Sequence, residues 1–126
     1  MVIRQTYLLR IELRLTYQLW YVTMFGMQDR FKWHVKIVKE VESVFESGVL
    51  SDDDMRIIHT WTLEVMLHGP DILVSKPNVW ADHELSGKWK GYRSSRYSYS
   101  GRIIYKIEKK VVTVVVVRIT PDHDYK

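Results

Sequence analysis

No cysteine occurs among the 126 residues, which excludes a disulfide framework, a thiolate metal site and a cysteine nucleophile. A reducing compartment, the cytoplasm, is the expected home. Glycine and proline are sparse, six and three, so the chain is neither collagen-like nor low-complexity. The longest uncharged run, Leu15 to Gln28, falls short of the roughly 20 apolar residues a membrane span needs. His34, His59, His68, His83 and His123 lack any tight ligand spacing such as His-x-x-x-His, and no Gly-rich phosphate loop or Ser-His-Asp set stands out. Neither a metal nor a small-molecule cofactor is therefore expected, and no membrane partner.

The composition, 46% hydrophobic and 27% charged, is that of a globular chain, and the length suits one core. The formal charge of +4 hides a partition. Residues 38 to 84 carry three Lys/Arg against ten acids, and residues 87 to 126 carry ten against three. So positive a block on a short sheet is the footprint of a phosphate-binding face, because Lys and Arg neutralise phosphates and release their counterions.

Residues 1 to 26 differ from the rest, being rich in Leu, Tyr, Ile and Arg. Arg4, Arg10 and Arg14 ahead of the uncharged run imitate a signal peptide, but no small-residue cleavage site follows. Met27 is followed by a polar start and the strand-like Trp33 to Val38. The expected organisation is an extension over 1–26, upstream of a working start at Met27, and a single domain over 27–126.

In that domain Ile37, Val38, Val41, Val44 and Phe45 recur at helical spacing with Glu40, Glu42 and Glu46 opposite, and Gly48 ends the pattern. Ser51 followed by Asp52, Asp53 and Asp54 supplies an N-cap with acids in the first turn of a second helix, striped by Met55, Ile58, Trp61 or Thr62, Val65 and Met66 up to Gly69-Pro70. A loop through Lys76-Pro77-Asn78 leads to a β pattern: Tyr92 to Tyr99, Arg102 to Glu108, and Val111 to Ile119. Ser100-Gly101 and Lys109-Lys110 stand at the hairpin tips. The valine run Val111 to Val117 reads as a central strand buried on both faces. The predicted fold class is α+β, two N-terminal helices packed on one face of a small, mainly antiparallel twisted sheet.

The stretch Ala81-Asp82-His83-Glu84-Leu85-Ser86-Gly87-Lys88-Trp89-Lys90-Gly91-Tyr92-Arg93 resembles the signature that opens the sheet in the RelE/ParE toxin superfamily, especially its YafQ branch. Gly101-Arg102-Ile103-Ile104-Tyr105-Lys106-Ile107 is similar to the family's Arg-hydrophobic-hydrophobic-Tyr strand, and Arg118 to Tyr125 to its C-terminal strand end. The resemblance covers roughly residues 33 to 126. It implies the RelE-like microbial RNase fold, an acidic antitoxin partner in a type II toxin–antitoxin system, and cleavage of mRNA on the ribosome.

Metal-independent RNA cleavage by 2′-hydroxyl attack on the adjacent phosphate needs a base, an acid for the leaving 5′-oxygen, and cations for the charge on phosphorus. His83, where the resemblance places a functional histidine, is the candidate base. Arg102 and Arg118 are the candidate phosphate clamps, because a guanidinium fork meets two oxygens at once, and they are expected to be neighbours. Arg96 stands where the YafQ branch has a second histidine, and Ser100 where it often has an acid; both departures move the candidate site towards an Arg-rich, RelE-like version. His123 is a candidate proton donor to the leaving oxygen, and Tyr125 a stacking or acid/base group. Lys88, Lys90, Arg93 and Lys126 are assigned to the RNA backbone, although Arg93 and Arg96, three apart on one strand, must point to opposite faces. Trp89 reads as a core residue closing the entrance to the sheet rather than a base-stacking one.

The alternatives are a ParE-like, non-enzymatic gyrase inhibitor of the same fold, and a toxin-derived protein that has lost activity and serves only as a repressor or partner-binding subunit. Upstream of both, the start site is directly testable. The intact mass of the protein made from its native gene is expected to correspond to a chain beginning at Met27, and a species retaining Met1 would refute that.

Overall fold

The structure, a computed structural model, describes residues 31–119. The expected extension over 1–26 and the candidates His123, Tyr125 and Lys126 lie outside the described residues. The chain enters through β1 (His34–Ile37), turns into α1 (Lys39–Ser47) and α2 (Asp52–His68), passes two single-turn helices, α3 (Asp71–Val74) and α4 (Pro77–Trp80), and reaches β2 (His83–Glu84). A 3₁₀ turn at Gly87–Trp89 precedes β3 (Arg93–Arg96), β4 (Arg102–Glu108) and β5 (Val111–Arg118). No described helix is long and apolar enough to cross a membrane.

The two main helices form where the periodicity places them, for the reasons it gives. Gly48 closes α1 in the left-handed conformation at φ 79°, and the Ser51 hydroxyl accepts from the Asp54 N–H at 3.1 Å to open α2. Ile58, Trp61, Thr62, Val65 and Met66 turn inward from α2, Val41 and Phe45 from α1. They meet Val35, Ile103, Tyr105, Val112, Val114 and Val117 from one face of the sheet, and this layer contact is the core.

The sheet has five strands in the order β1-β5-β4-β3-β2, antiparallel except where β1 lies parallel to β5. The predicted loop around Lys76-Pro77-Asn78 is instead two helical turns, held to α2 because Glu64 accepts from the Lys76 ammonium at 2.7 Å and from the Trp80 indole at 3.0 Å. The strand expected over Tyr92 to Tyr99 is shorter, since Tyr97 to Ser100 form a bend. Nor is β5 buried on both faces: Val112, Val114 and Val117 are covered by the helices, while Thr113, Val115 and Val116 are half-buried. Among the described residues, the helices pack on one face of the sheet.

A change of parity within β5 matters for the site. Tyr105 pairs with Val114 and Ile104 with Val116, so Val115 is the extra residue of a β-bulge. Beyond the bulge the alternation is reset, and Val117 returns to the core opposite Ile103.

Gly69, which ends α2, has φ 83°, and a Cβ there would stand 2.6 Å from Trp33 Nε1. Lys110 covers that same indole, its ammonium 4.5 Å from the ring centroid, which limits how far the ring can move aside. Gly48 shares the left-handed φ but opens on solvent. Gly69→Ala is therefore expected to cost about 2–4 kcal/mol, combining backbone strain with overpacking, and Gly48→Ala about 1 kcal/mol. Urea denaturation of the two variants checks the ranking; equal midpoints would refute it.

Candidate functional site

Strand pairing sorts the polar residues of the sheet between its two faces, because directly opposed residues share a face and successive ones alternate. Tyr105, opposite Arg93 and Val114, is on the helix-covered face with Ser95. On the opposite face, Arg96 opposes Arg102 and Arg102 opposes Arg118, a row of three half-buried arginines across three adjacent strands. Neighbouring strands lie about 4.8 Å apart, so the three residues span roughly 10 Å. His83 shares that face through its pairing with Ser94, which opposes Ile104 and stands two residues from Arg96. The structure thus brings together His83, Arg96, Arg102 and Arg118. Lys36 and Lys106, both opposite Thr113, continue the positive charge further along the same face.

Each member of the group is set by its own local structure. The His83 ring lies with Nδ1 2.9 Å from the Ala81 carbonyl. A carbonyl only accepts, so Nδ1 donates in that bond, which leaves Nε2 of the exposed ring as the nitrogen able to accept a proton. Ala81 itself takes a left-handed backbone, φ 46°, which turns the chain out of α4 and into β2. One guanidinium nitrogen of Arg102 donates to three carbonyls of the adjoining bend, Ser98 at 3.2 Å, Tyr99 at 3.3 Å and Gly101 at 2.8 Å. Arg96 reaches the Asn78 carbonyl at 3.4 Å. Arg96 and Arg102 are thus held by backbone carbonyls.

Arg93 leaves the set. Its Nε donates to Asp82 at 2.8 Å, and its guanidinium lies 3.4 Å from Glu84. The Asp82 side chain is fully covered and also accepts from Ser95 Oγ at 2.6 Å and from the Tyr105 phenol at 2.5 Å. The Trp61 indole of α2 donates to Ser95 at 3.0 Å and meets the Tyr105 ring edge-on at 5.3 Å, which ties the helix layer to the same carboxylate. Although burial works against its charge, the hydrogen bond and charge of Asp82 hold the Arg93 guanidinium above its ordinary value. Burial, then Asp82, pushes the Tyr105 phenol far up, so it stays a neutral donor. The sequence could not separate Arg93 from the RNA-facing cations, because its partner is eleven residues away.

The remaining candidates are dispersed. Lys88 and Lys90 are exposed around the 3₁₀ turn that follows β2, outside the arginine row. Trp89 does not close the core: it is half-buried and packs edge-on against Tyr92, with ring centroids 5.2 Å apart. His59 on α2 has its pKa lowered by burial to about 4 and stays neutral near pH 7.

The Asp82 network generates a stability prediction. Asp82→Ala leaves a partly buried guanidinium without its main partner and is expected to cost about 3–5 kcal/mol. Tyr105→Phe, which removes one donor, is expected to cost about 1–2 kcal/mol. Thermal and urea unfolding read both, and an Asp82→Ala protein as stable as the parent would remove the network from this role.

At the level of sequence no protein-family model matches the chain, and no curated protein does. Solved structures do match. YafQ in the Escherichia coli DinJ–YafQ toxin–antitoxin complex superposes with a TM-score of 0.55 at 17% identity, over 75% of this chain and 99% of that one. RelE in the archaeal RelE–RelB complex of Pyrococcus horikoshii gives 0.55 at 18%, over 73% and 98%. YoeB in the YoeB–YefM complex of Staphylococcus aureus gives 0.52 at 12%, over 69% and 95%. At these identities the likeness establishes architecture, and the chain has the RelE/YafQ-type toxin fold that its sequence signature implied.

Proposed function

We propose that the chain is the toxin of a type II toxin–antitoxin system, a metal-independent endoribonuclease that cleaves mRNA on the ribosome. The observation that carries this reading is the row Arg96–Arg102–Arg118, with His83 on the same face of the sheet. Like charges directly opposed on adjacent strands repel one another, so a bound anion would add favourable counter-charge to the row. A phosphodiester supplies it, and a guanidinium fork is the geometry that meets its oxygens.

In this mechanism the His83 Nε2 takes the proton of the 2′-hydroxyl, the O2′–P bond forms and the P–O5′ bond breaks. The products are a 2′,3′-cyclic phosphate and a 5′-hydroxyl. The arginines stabilise the charge that builds on the non-bridging oxygens. His123 and Tyr125 are the candidates for the proton returned to the leaving 5′-oxygen, with Lys88, Lys90 and Lys126 on the RNA backbone. The acidic cognate antitoxin, which this reading expects to be encoded next door, would neutralise the toxin by covering the basic face. Catalysis and partner alike belong to the cytoplasm.

The discriminating experiment incubates the protein with translating ribosomes and maps mRNA ends. Site-specific breaks are expected, falling about 10²-fold in His83→Ala and about 10³-fold in Arg102→Ala, with Tyr125→Phe also reduced. Intact mRNA together with gyrase-dependent DNA breaks would replace this reading with the ParE-like one. Overexpression that leaves growth unaffected while a neighbouring-gene product still binds would make the chain an inactive repressor subunit.

A further inference from the structure

The bend joining β3 to β4 lies at the end of the sheet where the arginine row lies, since Arg96 precedes it and Arg102 follows it. It is tied down at nearly every residue. The Tyr97 N–H donates to the Gly101 carbonyl at 3.2 Å, and the Gly101 N–H to the Ser98 hydroxyl at 2.8 Å. The Tyr97 phenol donates to the Arg118 carbonyl at 2.7 Å, and the Ser100 hydroxyl to the Ile119 carbonyl at 3.2 Å, which fastens the bend to the end of β5. At Gly101 the Tyr97 ring and the Ser98 hydroxyl occupy the space of a side chain, with Tyr97 Cζ 2.3 Å and Ser98 Oγ 2.5 Å from where a Cβ would stand.

Tyr97 is 3% exposed on this anchored bend; Tyr99, two residues on, is 95% exposed. A tyrosine offers a large apolar surface for burial, and a chain that buries one ring of the pair and leaves the other wholly in water forgoes that gain at Tyr99. The backbone under Tyr99 is fixed, and its carbonyl is one of the three that receive the Arg102 guanidinium. The residue that carries the exposed ring and the candidate phosphate clamp are therefore joined through the Tyr99 backbone carbonyl.

We propose that Tyr99 is a nucleobase-stacking platform, which receives an unpaired base of single-stranded RNA beside the phosphate held by Arg102. This rests on the ribonuclease reading and deepens it by adding a base subsite. Every base has a π-face, so the platform contributes affinity and positioning with little sequence preference. The backbone that carries it is anchored before RNA arrives, so binding has to order only the ring.

Because Tyr99 touches no core residue, its substitution leaves the fold intact, and the test is a clean binding measurement. In a His83→Ala background that prevents cleavage, Tyr99→Ala and Tyr99→Phe are compared with the parent. The probe is a short single-stranded RNA, free and programmed on ribosomes, scanned with one abasic site at a time. Tyr99→Ala is expected to weaken binding about tenfold or more and Tyr99→Phe less than about twofold. At one abasic position the difference between Tyr99→Ala and the parent disappears. A Tyr99→Ala protein that binds every RNA as the parent does overturns the platform alone, and if it instead loses capture of the neighbouring-gene product, the ring is an antitoxin contact. A parent that leaves RNA unbound in both formats overturns the ribonuclease reading and the platform with it.

Discussion

The buried carboxylate of Asp82 is the interaction on which the rest of this structure depends. An ionised side chain removed from water costs several kcal/mol unless its partners are close and numerous. Asp82 meets that condition with Arg93, Ser95 and Tyr105, drawn from two different strands, and through Ser95 it engages Trp61 of α2. The consequence is positional. Asp82 immediately precedes β2, whose two residues give that strand little pairing of its own, so the carboxylate is what anchors the edge from which His83 projects. The left-handed turn at Ala81 is held from both sides, by α4 before it and by this network after it.

Once Arg93, Ser95 and Tyr105 are committed to the helix-covered face, the pleat decides where their neighbours go. Ser94 and Arg96 on β3, and Ile104 and Arg102 on β4, must point the other way. Arg118 would not join them in an unbroken ladder. With Tyr105 opposite Val114, regular pairing sets Arg102 against Val117 and turns Arg118 towards the core side. The bulge at Val115 shifts the pairing by one residue, which returns Val117 to the core and sets Arg118 beside Arg102. A single extra residue in an apolar strand therefore completes both the core and the arginine row.

This division also explains what could be read from the sequence. The helices were legible because Ser51, Gly48 and Gly69 are local signals and the apolar stripe between them has one period. The hairpin of β4 and β5 was legible because Lys109 and Lys110 interrupt two β-branched runs. The adjacency of Arg102 and Arg118 followed from that hairpin. The bulge was hidden because valine fills Val114 to Val117 and carries no parity, so the strand read as buried on both sides. The role of Arg93 was hidden because Asp82 is a long-range partner, and a cation in a basic segment looks like its neighbours. Tyr99 was passed over because alternation with Ser and Arg suggested a continuing strand, whereas the bend lifts it out of the pleat.

The charge partition acquires a direction once the layers are known. The segment with ten acids against three bases supplies α1 and α2, and the segment with ten bases against three acids supplies β3, β4 and β5. The domain is therefore polarised across its thickness, acidic on the helix side and basic on the opposite face, although the net charge of the whole chain is only +4. A polyanion approaching at random is repelled from one side and drawn to the other, so orientation is selected during the encounter rather than after contact. The net charge governs how strongly the protein binds polyanions at large, and the partition governs which face they meet. Under the proposed nuclease reading, that separation aligns the encounter with a phosphodiester without the non-specific affinity a uniformly basic surface would bring.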